Sequence, residues 1–417
     1  MKNKVIKEII NKTHGIITDV NFKNESRVSD KYFTRVRKMS FVKIITFILN
    51  FLSKSLKLEL DKYFENTDVS TKISQQAFSK ARQHIKPEAF KKLFKMTSNI
   101  AINSNEIKRY KGYRLFAIDG TELHLEPTKE LAQYYGIRNN GGCTARVSIL
   151  CEVINGIIIE AEIDSFKTDE RTLAIRHIEE FEKVKEEKDL ILFDRGYPSI
   201  DLIEKLENTA IKYLMRIQKN NYKEIYNNKE KEFFTKIGKS TVRVIRVTLD
   251  TGETETLITN LGKEDFKAND FKELYFKRWG IEIKYNIVKN KLKLETFSGK
   301  TRIAILQDFY ATMYLANIVA ISKISCNEEM SRKDKSKYLK YKYQVNESML
   351  INKLKDKFIL AILIEDTKKR ENIINNILNE AIEYRLPIKP NRHYDRPGGA
   401  SHSIKRRAPK RYIKHIL

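Results

Sequence analysis

Apolar positions recur along this chain in two periods, and the switch between them divides it. Up to about residue 105 the spacing is helical. Ile73, Ala77, Phe78, Ala81 and Ile85 mark one face of a segment over 70–85, which follows a break at Asn66-Thr67-Asp68. Pro87 then opens a second helix over 88–96. From Arg114 the pattern changes to strands. The first runs 114–119, and a hairpin pairs 147–153 with 157–163 around Asn155-Gly156, the strongest short turn signal in the chain. A helix over 169–186, a strand over 189–194, a helix over 199–206 capped by Ser199 and a strand over 211–217 follow. A second hairpin joins 242–249 to 254–261 through Asp250-Thr251-Gly252-Glu253, and residues 302–385 return to helical spacing.

The stretch from Tyr275 to Lys293 reads as a helix with chemistry on one side. Tyr275, Arg278, Glu282 and Lys289 sit at offsets 0, 3, 7 and 14. At about 100° per residue they fall within roughly 60° of one another, on a helix about 20 Å long. One carboxylate is thereby flanked by two cations and an aromatic, an arrangement suited to metal and phosphate. Two earlier aspartates each end an apolar strand: Leu115-Phe116-Ala117-Ile118 before Asp119, and Leu190-Ile191-Leu192-Phe193 before Asp194. Each then meets glycine, as Asp119-Gly120-Thr121 and Asp194-Arg195-Gly196-Tyr197. Two strand-end aspartates and a helical glutamate offer the oxygen ligands that divalent cations take.

Strand-Asp-Gly-Thr, strand-Asp-Arg-Gly-Tyr and Y-x2-R-x3-E-x6-K, in that order, resemble the DDE transposases of bacterial insertion sequences, specifically the insertion-sequence 4 family. The resemblance runs from about Arg114 to Thr301 and includes Phe297-Ser298-Gly299-Lys300-Thr301. It implies an α/β fold: an RNase H-like catalytic domain with a β-rich insertion, flanked by helical N- and C-terminal regions. The order strand, hairpin, helix, strand, helix, strand, helix is that of an RNase H-like fold on periodicity and turns alone. A minimal fold of this kind needs only a short link where residues 218–262 lie, so that segment is expected to be the insertion, which in the family lies over bound transposon DNA. The expected division is a helical DNA-binding region over 1–105, the catalytic domain over 106–301, a helical region over 302–385 and a basic tail over 386–417.

The resemblance also implies two Mg2+ ions, with Mn2+ able to substitute. Asp119 would bridge them, Asp194 would hold one and Glu282 the other. Two such ions activate a water or a 3′-hydroxyl and stabilise the leaving oxygen of a phosphodiester. Arg278 and Lys289 are assigned to phosphates near the cut, and Tyr275 to a phosphate hydrogen bond. Partners would be double-stranded DNA, as terminal inverted repeats and as target, and a second copy of the chain in the paired-end complex, with helix 349–364 a candidate contact. Some relatives hold a flipped base with a tryptophan from the insertion. Here Trp279 is the sole tryptophan and the insertion has none, although Tyr222, Tyr226, Phe233 and Phe234 could stack. The end-processing route, through a DNA hairpin or not, stays open.

Charge agrees with a polyanionic partner. The chain has 80 Lys+Arg against 54 Asp+Glu, a formal +26, and from Leu386 onward nine Lys/Arg stand against one acid, Asp395. Lys72, Lys80, Arg82 and Lys86 surround the apolar face of 70–85; this pattern fits a helix-turn-helix unit and a small helical bundle equally well. Lys277, Lys284 and Lys291, spaced by seven, read as a solvated face. At 417 residues, 41% of them hydrophobic, two or three units with a sizeable core are expected. Three cysteines do not make a disulfide scaffold, and no Cys/His spacing resembles a zinc site. The first residues form a charged amphipathic segment rather than a signal peptide. The apolar stretches 41–60 and 303–321 carry polar and charged residues, so both are expected to be core helices, in a cytoplasmic protein working at the nucleoid. Gly299-Lys300-Thr301 lacks the earlier glycine of a phosphate loop, and Leu294 stands in its place. His124 reads as a sheet histidine. The rival functions are a DNA-binding regulator or inactive copy that keeps the fold, and a metal-dependent nuclease that cuts without joining.

Overall fold

The computed structural model describes residues 3–50, 55–67, 72–139, 141–218, 221–249, 252–334 and 339–389. Six helices come first: α1 (Lys4–Thr18), α2 (Val20–Ser26), α3 (Phe41–Ile48), α4 (Leu56–Thr67), α5 (Gln75–Arg82) and α6 (Glu88–Ile102). The central region follows as β1 (Arg114–Leu125), α7 (Lys129–Tyr135), β2 (Cys143–Glu152), β3 (Ile157–Ser165), α8 (Glu170–Glu182), β4 (Asp189–Phe193), α9 (Ile200–Asn208) and β5 (Lys212–Ile217). Next come α10 (Lys223–Asn227), β6 (Glu232–Ile237), β7 (Ser240–Thr248), β8 (Thr254–Thr259), α11 (Asp270–Phe276) and α12 (Gly280–Asn286). The remainder is α13 (Arg302–Asp334), β9 (Lys342–Val345), α14 (Glu347–Leu363), α15 (Thr367–Ile382) and β10 (Arg385–Ile388). The basic tail from residue 390 onward, expected to contact DNA, lies outside the described residues.

One sheet organises the middle of the chain, in the order β3-β2-β1-β4-β5-β8-β7-β6. β4 pairs in parallel with both β1 and β5, while β2 runs antiparallel to β1 and β3. The strand order β3-β2-β1-β4-β5 with one reversed strand is the RNase H-like arrangement expected from the sequence. The β1–β4 ladder starts at Arg114↔Asp189. There the buried Arg114 guanidinium donates to both Asp189 carboxylate oxygens at 2.6 Å, a bidentate pair that fixes the register. At the β2–β3 turn the Glu152 carboxylate accepts from the Ile154 and Asn155 amides at 3.1 and 2.7 Å. The Asn155-Gly156 signal therefore had a partner just upstream. Ser199 caps α9 as predicted, its hydroxyl accepting from the Leu202 amide at 3.3 Å.

The residues 218–262 are not a separate layer. β8 pairs antiparallel with β5, so β6–β8 extend the central sheet. Two further strands form a small antiparallel pair: β9 lies within the region expected to be helical, and β10 runs from its last residue into the expected basic tail.

The N-terminal helices are bound into the rest. Arg82, placed by its charge among the cations around α5, is only 1% exposed. It donates to Gln307 at 2.8 Å, Ser298 at 2.7 Å and Asp308 at 2.6 Å. α13 is long and apolar enough to cross a membrane, but 83% of its most apolar window is buried inside the protein. It packs on α6 and β3. The apolar residues of α14, including Leu350, Leu354, Phe358 and Ile362, are likewise buried within this chain.

One buried group makes the fold sensitive to acid. His177 of α8 is fully buried, with Nε2 3.0 Å from the Ser148 hydroxyl of β2. Burial pushes its pKa down to about 3, helped by Lys95, Lys91 and Arg176. The unfolded chain, with an ordinary histidine near 6.5, therefore takes up this proton first, and stability falls as pH drops from about 6.5 toward 3. Urea unfolding at pH 7.5 and 5.5 should show the wild type losing about 1 kcal/mol more than His177→Gln between the two.

Candidate active site

The parallel β1–β4 ladder ends at Ala117↔Leu192. Asp119 and Asp194 each lie two residues beyond that pair, so the period of two carries both to matching positions just past the end of the ladder; β4 stops there, whereas β1, expected to end at Asp119, runs on to Leu125 paired with β2. The Asp119 carboxylate accepts from the Gly120 amide at 2.9 Å. Burial pushes its pKa up to about 6; the Gly120 amide and Arg278 oppose the rise, and Glu170 and Asp194 add to it. Asp194 accepts from the Tyr275 hydroxyl at 3.2 Å. Burial, with the nearby Asp194 charge adding to it, drives the Tyr275 phenol well above its usual range.

The segment bearing Tyr275, Arg278, Glu282 and Lys289 is a composite, not one uniform helix. α11 tightens into a 3-10 turn at Lys277–Trp279, α12 follows, and a π turn spans Ile287–Lys291. Gly280 makes the approach possible: a Cβ there would stand 2.6 Å from the Val153 carbonyl. Arg278, in the tightened turn, is 6% exposed and donates to Glu282 at 3.0 Å. Its Nε is buried with no partner among the described residues. Lys289 donates to the Glu122 carbonyl of β1 at 2.9 Å and lies 3.8 Å from Glu295. The chain thus gathers Asp119, Asp194, Tyr275, Arg278 and Glu282 into one electrostatic cluster and turns Lys289 to the strand beside it.

Of the lysines spaced by seven, Lys284 departs from the solvated face expected of them, while Lys277 is partly exposed and Lys291 exposed. Lys284 is 3% exposed and donates to the Ala316 carbonyl of α13 at 2.9 Å; burial pushes its pKa down to about 8. Lys277 pairs with Glu273 and Lys291 with Glu347. Heptad spacing alone could not tell a buried lysine from an exposed one.

Two further groups at this site were not singled out in the sequence. Glu170, at the start of α8, lies against Gly120: its Oε1 would be 3.0 Å from a Cβ there. The same carboxylate accepts from Arg146 at 3.2 Å. Tyr197 of Asp194-Arg195-Gly196-Tyr197 is 2% exposed, and its hydroxyl has no partner among the described residues. Burial raises its pKa strongly, with Asp119, Glu170 and Asp194 adding to the rise. Glu170 packs against Gly120, whereas Gly196 has open space around it.

Among the described residues no three acidic, histidine or cysteine side chains converge tightly enough to hold a metal ion. Arg278 instead supplies the positive charge, paired with Glu282 and felt by both aspartates. The donor set still suits a hard divalent cation. It is all oxygen, and burial raises the Asp119 pKa to about 6, a cost to the charged form that a bound cation would offset.

Comparison with known proteins adds independent information. The Transposase DDE domain family matches residues 110–318. Transposase InsG for insertion sequence element IS4 of Escherichia coli is 23% identical over 282 residues, which are 62% of this chain and 63% of that protein. A putative transposase for insertion sequence element IS4SA of Synechocystis is 30% identical over 160 residues, 37% of this chain and 47% of that protein. The chain thus spans less than two thirds of the length of either relative. The cryo-EM structure of a piggyBac transposase synaptic complex with hairpin DNA aligns over 94% of this chain and 84% of its own, with a TM-score of 0.45 and 14% identity.

The charge balance is testable without any substrate. Arg278→Met leaves the three carboxylates without their buried cation. Because Glu282 is partly exposed, the cost at pH 7.5 should be roughly 1–2 kcal/mol, below that of breaking a fully buried pair. Denaturant unfolding should show this loss, and millimolar Mg2+ should restore part of it.

Proposed function

Because this chain belongs to the transposase DDE domain family, with relatives among insertion-sequence IS4 transposases, we propose that it is a cut-and-paste DNA transposase. The observation that carries this reading is the placement of Asp119 and Asp194 at matching positions just past the end of the parallel β1–β4 ladder, inside the matched span and beside Arg278. Asp119, Asp194 and Glu282 hold two Mg2+ ions, for which Mn2+ can substitute. When bound, these ions lower the pKa of a water or 3′-hydroxyl and stabilise the departing oxygen of a phosphodiester.

The chain's own residues do the rest. Tyr275 orients Asp194 through its hydroxyl. Arg278, with one guanidinium nitrogen unpaired, is suited to a phosphate oxygen at the cut, where a planar fork binds better than a point charge. Lys289 adds a second positive charge for the phosphate backbone. Residues 1–105 bind the element's end and 106–301 carry the chemistry. Residues 218–262 contact DNA from the extended sheet, and the basic residues 386–417 add sequence-independent affinity. Two copies act on paired inverted-repeat ends, in the cytoplasm at the nucleoid, and join them to target DNA.

The test uses purified full-length chain, Mg2+ and DNA carrying the inverted repeats that flank its own gene. Wild type should cut and join those ends. Glu282→Gln should lose roughly 10²-fold or more in rate, the scale for losing one element of transition-state charge stabilisation, while keeping its affinity for the ends. Specific binding without cleavage by wild type would instead identify a regulator or inactive copy. Cleavage without joined product would identify a nuclease. Cleavage that survives Glu282→Gln would remove Glu282 from the metal site.

A further inference from the structure

We propose that Tyr285 is a positioning residue for Asp119, its hydroxyl fixing the backbone of the first metal-binding strand to the helix that carries the third carboxylate. The inference rests on the function proposed above and adds a residue outside the Y-x2-R-x3-E-x6-K pattern.

The Asp119 carbonyl oxygen of β1 is reached by two side-chain hydroxyls. Tyr285 donates to it at 2.7 Å and Ser148 of β2 at 3.4 Å. Ser148 is held in turn by His177, whose Nε2 lies 3.0 Å from the serine oxygen. The one proton of Ser148 goes to the carbonyl, so His177 must carry its own on Nε2 to complete the chain. Tyr285 is 8% exposed, and Ser148 and His177 are fully buried. Water is thus kept from competing for these bonds.

Tyr285 lies three residues after Glu282 on α12, so its anchor fixes the turn of helix from which Glu282 projects. Four residues further on, Lys289 donates to the carbonyl of Glu122, three residues beyond Asp119 on the same strand. The helical segment is therefore pinned along β1 at two carbonyls. Such pinning is needed where like charges crowd. Asp119 meets Asp194 just past the end of the β1–β4 ladder and Glu170 across Gly120, where β1 no longer has β4 beside it and a shift of its backbone would relieve the repulsion. A phenylalanine at 285 would fill the same space but supply no donor, which separates positioning from packing.

The experiment compares full-length wild type, Tyr285→Phe and Glu282→Gln. It measures affinity for inverted-repeat DNA, the Mg2+ concentration giving half-maximal cleavage, and Mn2+ binding without DNA by water-proton relaxation. Tyr285→Phe should bind the ends as wild type does. It should need roughly ten times more Mg2+, bind Mn2+ about tenfold more weakly and recover cleavage when Mg2+ is raised, the scale of losing a partner that orients a ligand. Metal requirement and Mn2+ affinity equal to wild type would overturn the proposal. If Tyr285→Phe does not fold, Ser148→Ala removes the other donor to the same carbonyl and must raise the Mg2+ requirement in the same direction; no rise overturns it. A wild type that binds Mn2+ without cutting DNA sinks the transposase reading alone, and the Mn2+ titration of Tyr285→Phe still decides this one. A wild type that neither cuts nor binds Mn2+ overturns both.

Discussion

Two half-buried carboxylates just past the end of a parallel strand ladder repel one another unless a cation lies close, and the middle of this chain is built around that constraint. The β1–β4 ladder sets their separation. It is held at its far end by Arg114 and Asp189, whose charges cancel in the dry interior with both carboxylate oxygens satisfied. The ladder stops after four residue pairs, and the carboxylates stand just beyond it without a built-in bidentate partner. The same sheet thus contains one aspartate that is fully compensated and structural and two that are not.

Arg278 is the partial answer in the protein alone. Its place in a 3-10 turn between two short helices is what lets a mostly buried guanidinium reach toward Glu282 while sensing both aspartates. A continuous α-helix would space these side chains more regularly. The π turn that follows changes the phase again and brings Lys289 onto β1. Irregular turns of this type recur at functional sites because they re-aim side chains without breaking the helix axis. The rest of the architecture supports that segment: Lys284 is tied to α13, and Lys291 and Lys323 are tied through Glu347 to α14.

The strands and hairpin of the central domain and the cap at Ser199 were legible in the sequence, because short apolar runs bounded by turn signals leave few alternatives; that β1 continues beyond Asp119 to Leu125 was not. The composite nature of the Tyr275–Lys293 segment was not legible, since the residues that impose the 3-10 and π turns are ordinary helix formers. Nor was the joining of β8 to β5, a long-range pairing that local patterns do not encode. Arg82 and Lys284 show the limit most clearly. Charge and spacing placed both on surfaces, whereas acceptors far away in sequence, Asp308 and the Ala316 carbonyl, allow them to be buried. Glu170 escaped notice for a related reason: only the packing of α8 on the sheet brings it against Gly120.

The most direct measurement is anomalous scattering from manganese in crystals of the full chain bound to inverted-repeat DNA and soaked in Mn2+. If the carboxylates beyond the β1–β4 ladder form the metal site of a transposase, anomalous density will lie between Asp119 and Asp194, with Glu282 turned from Arg278 toward it. Density absent from that cleft, with the Arg278–Glu282 pair intact and DNA in place, would contradict that assignment.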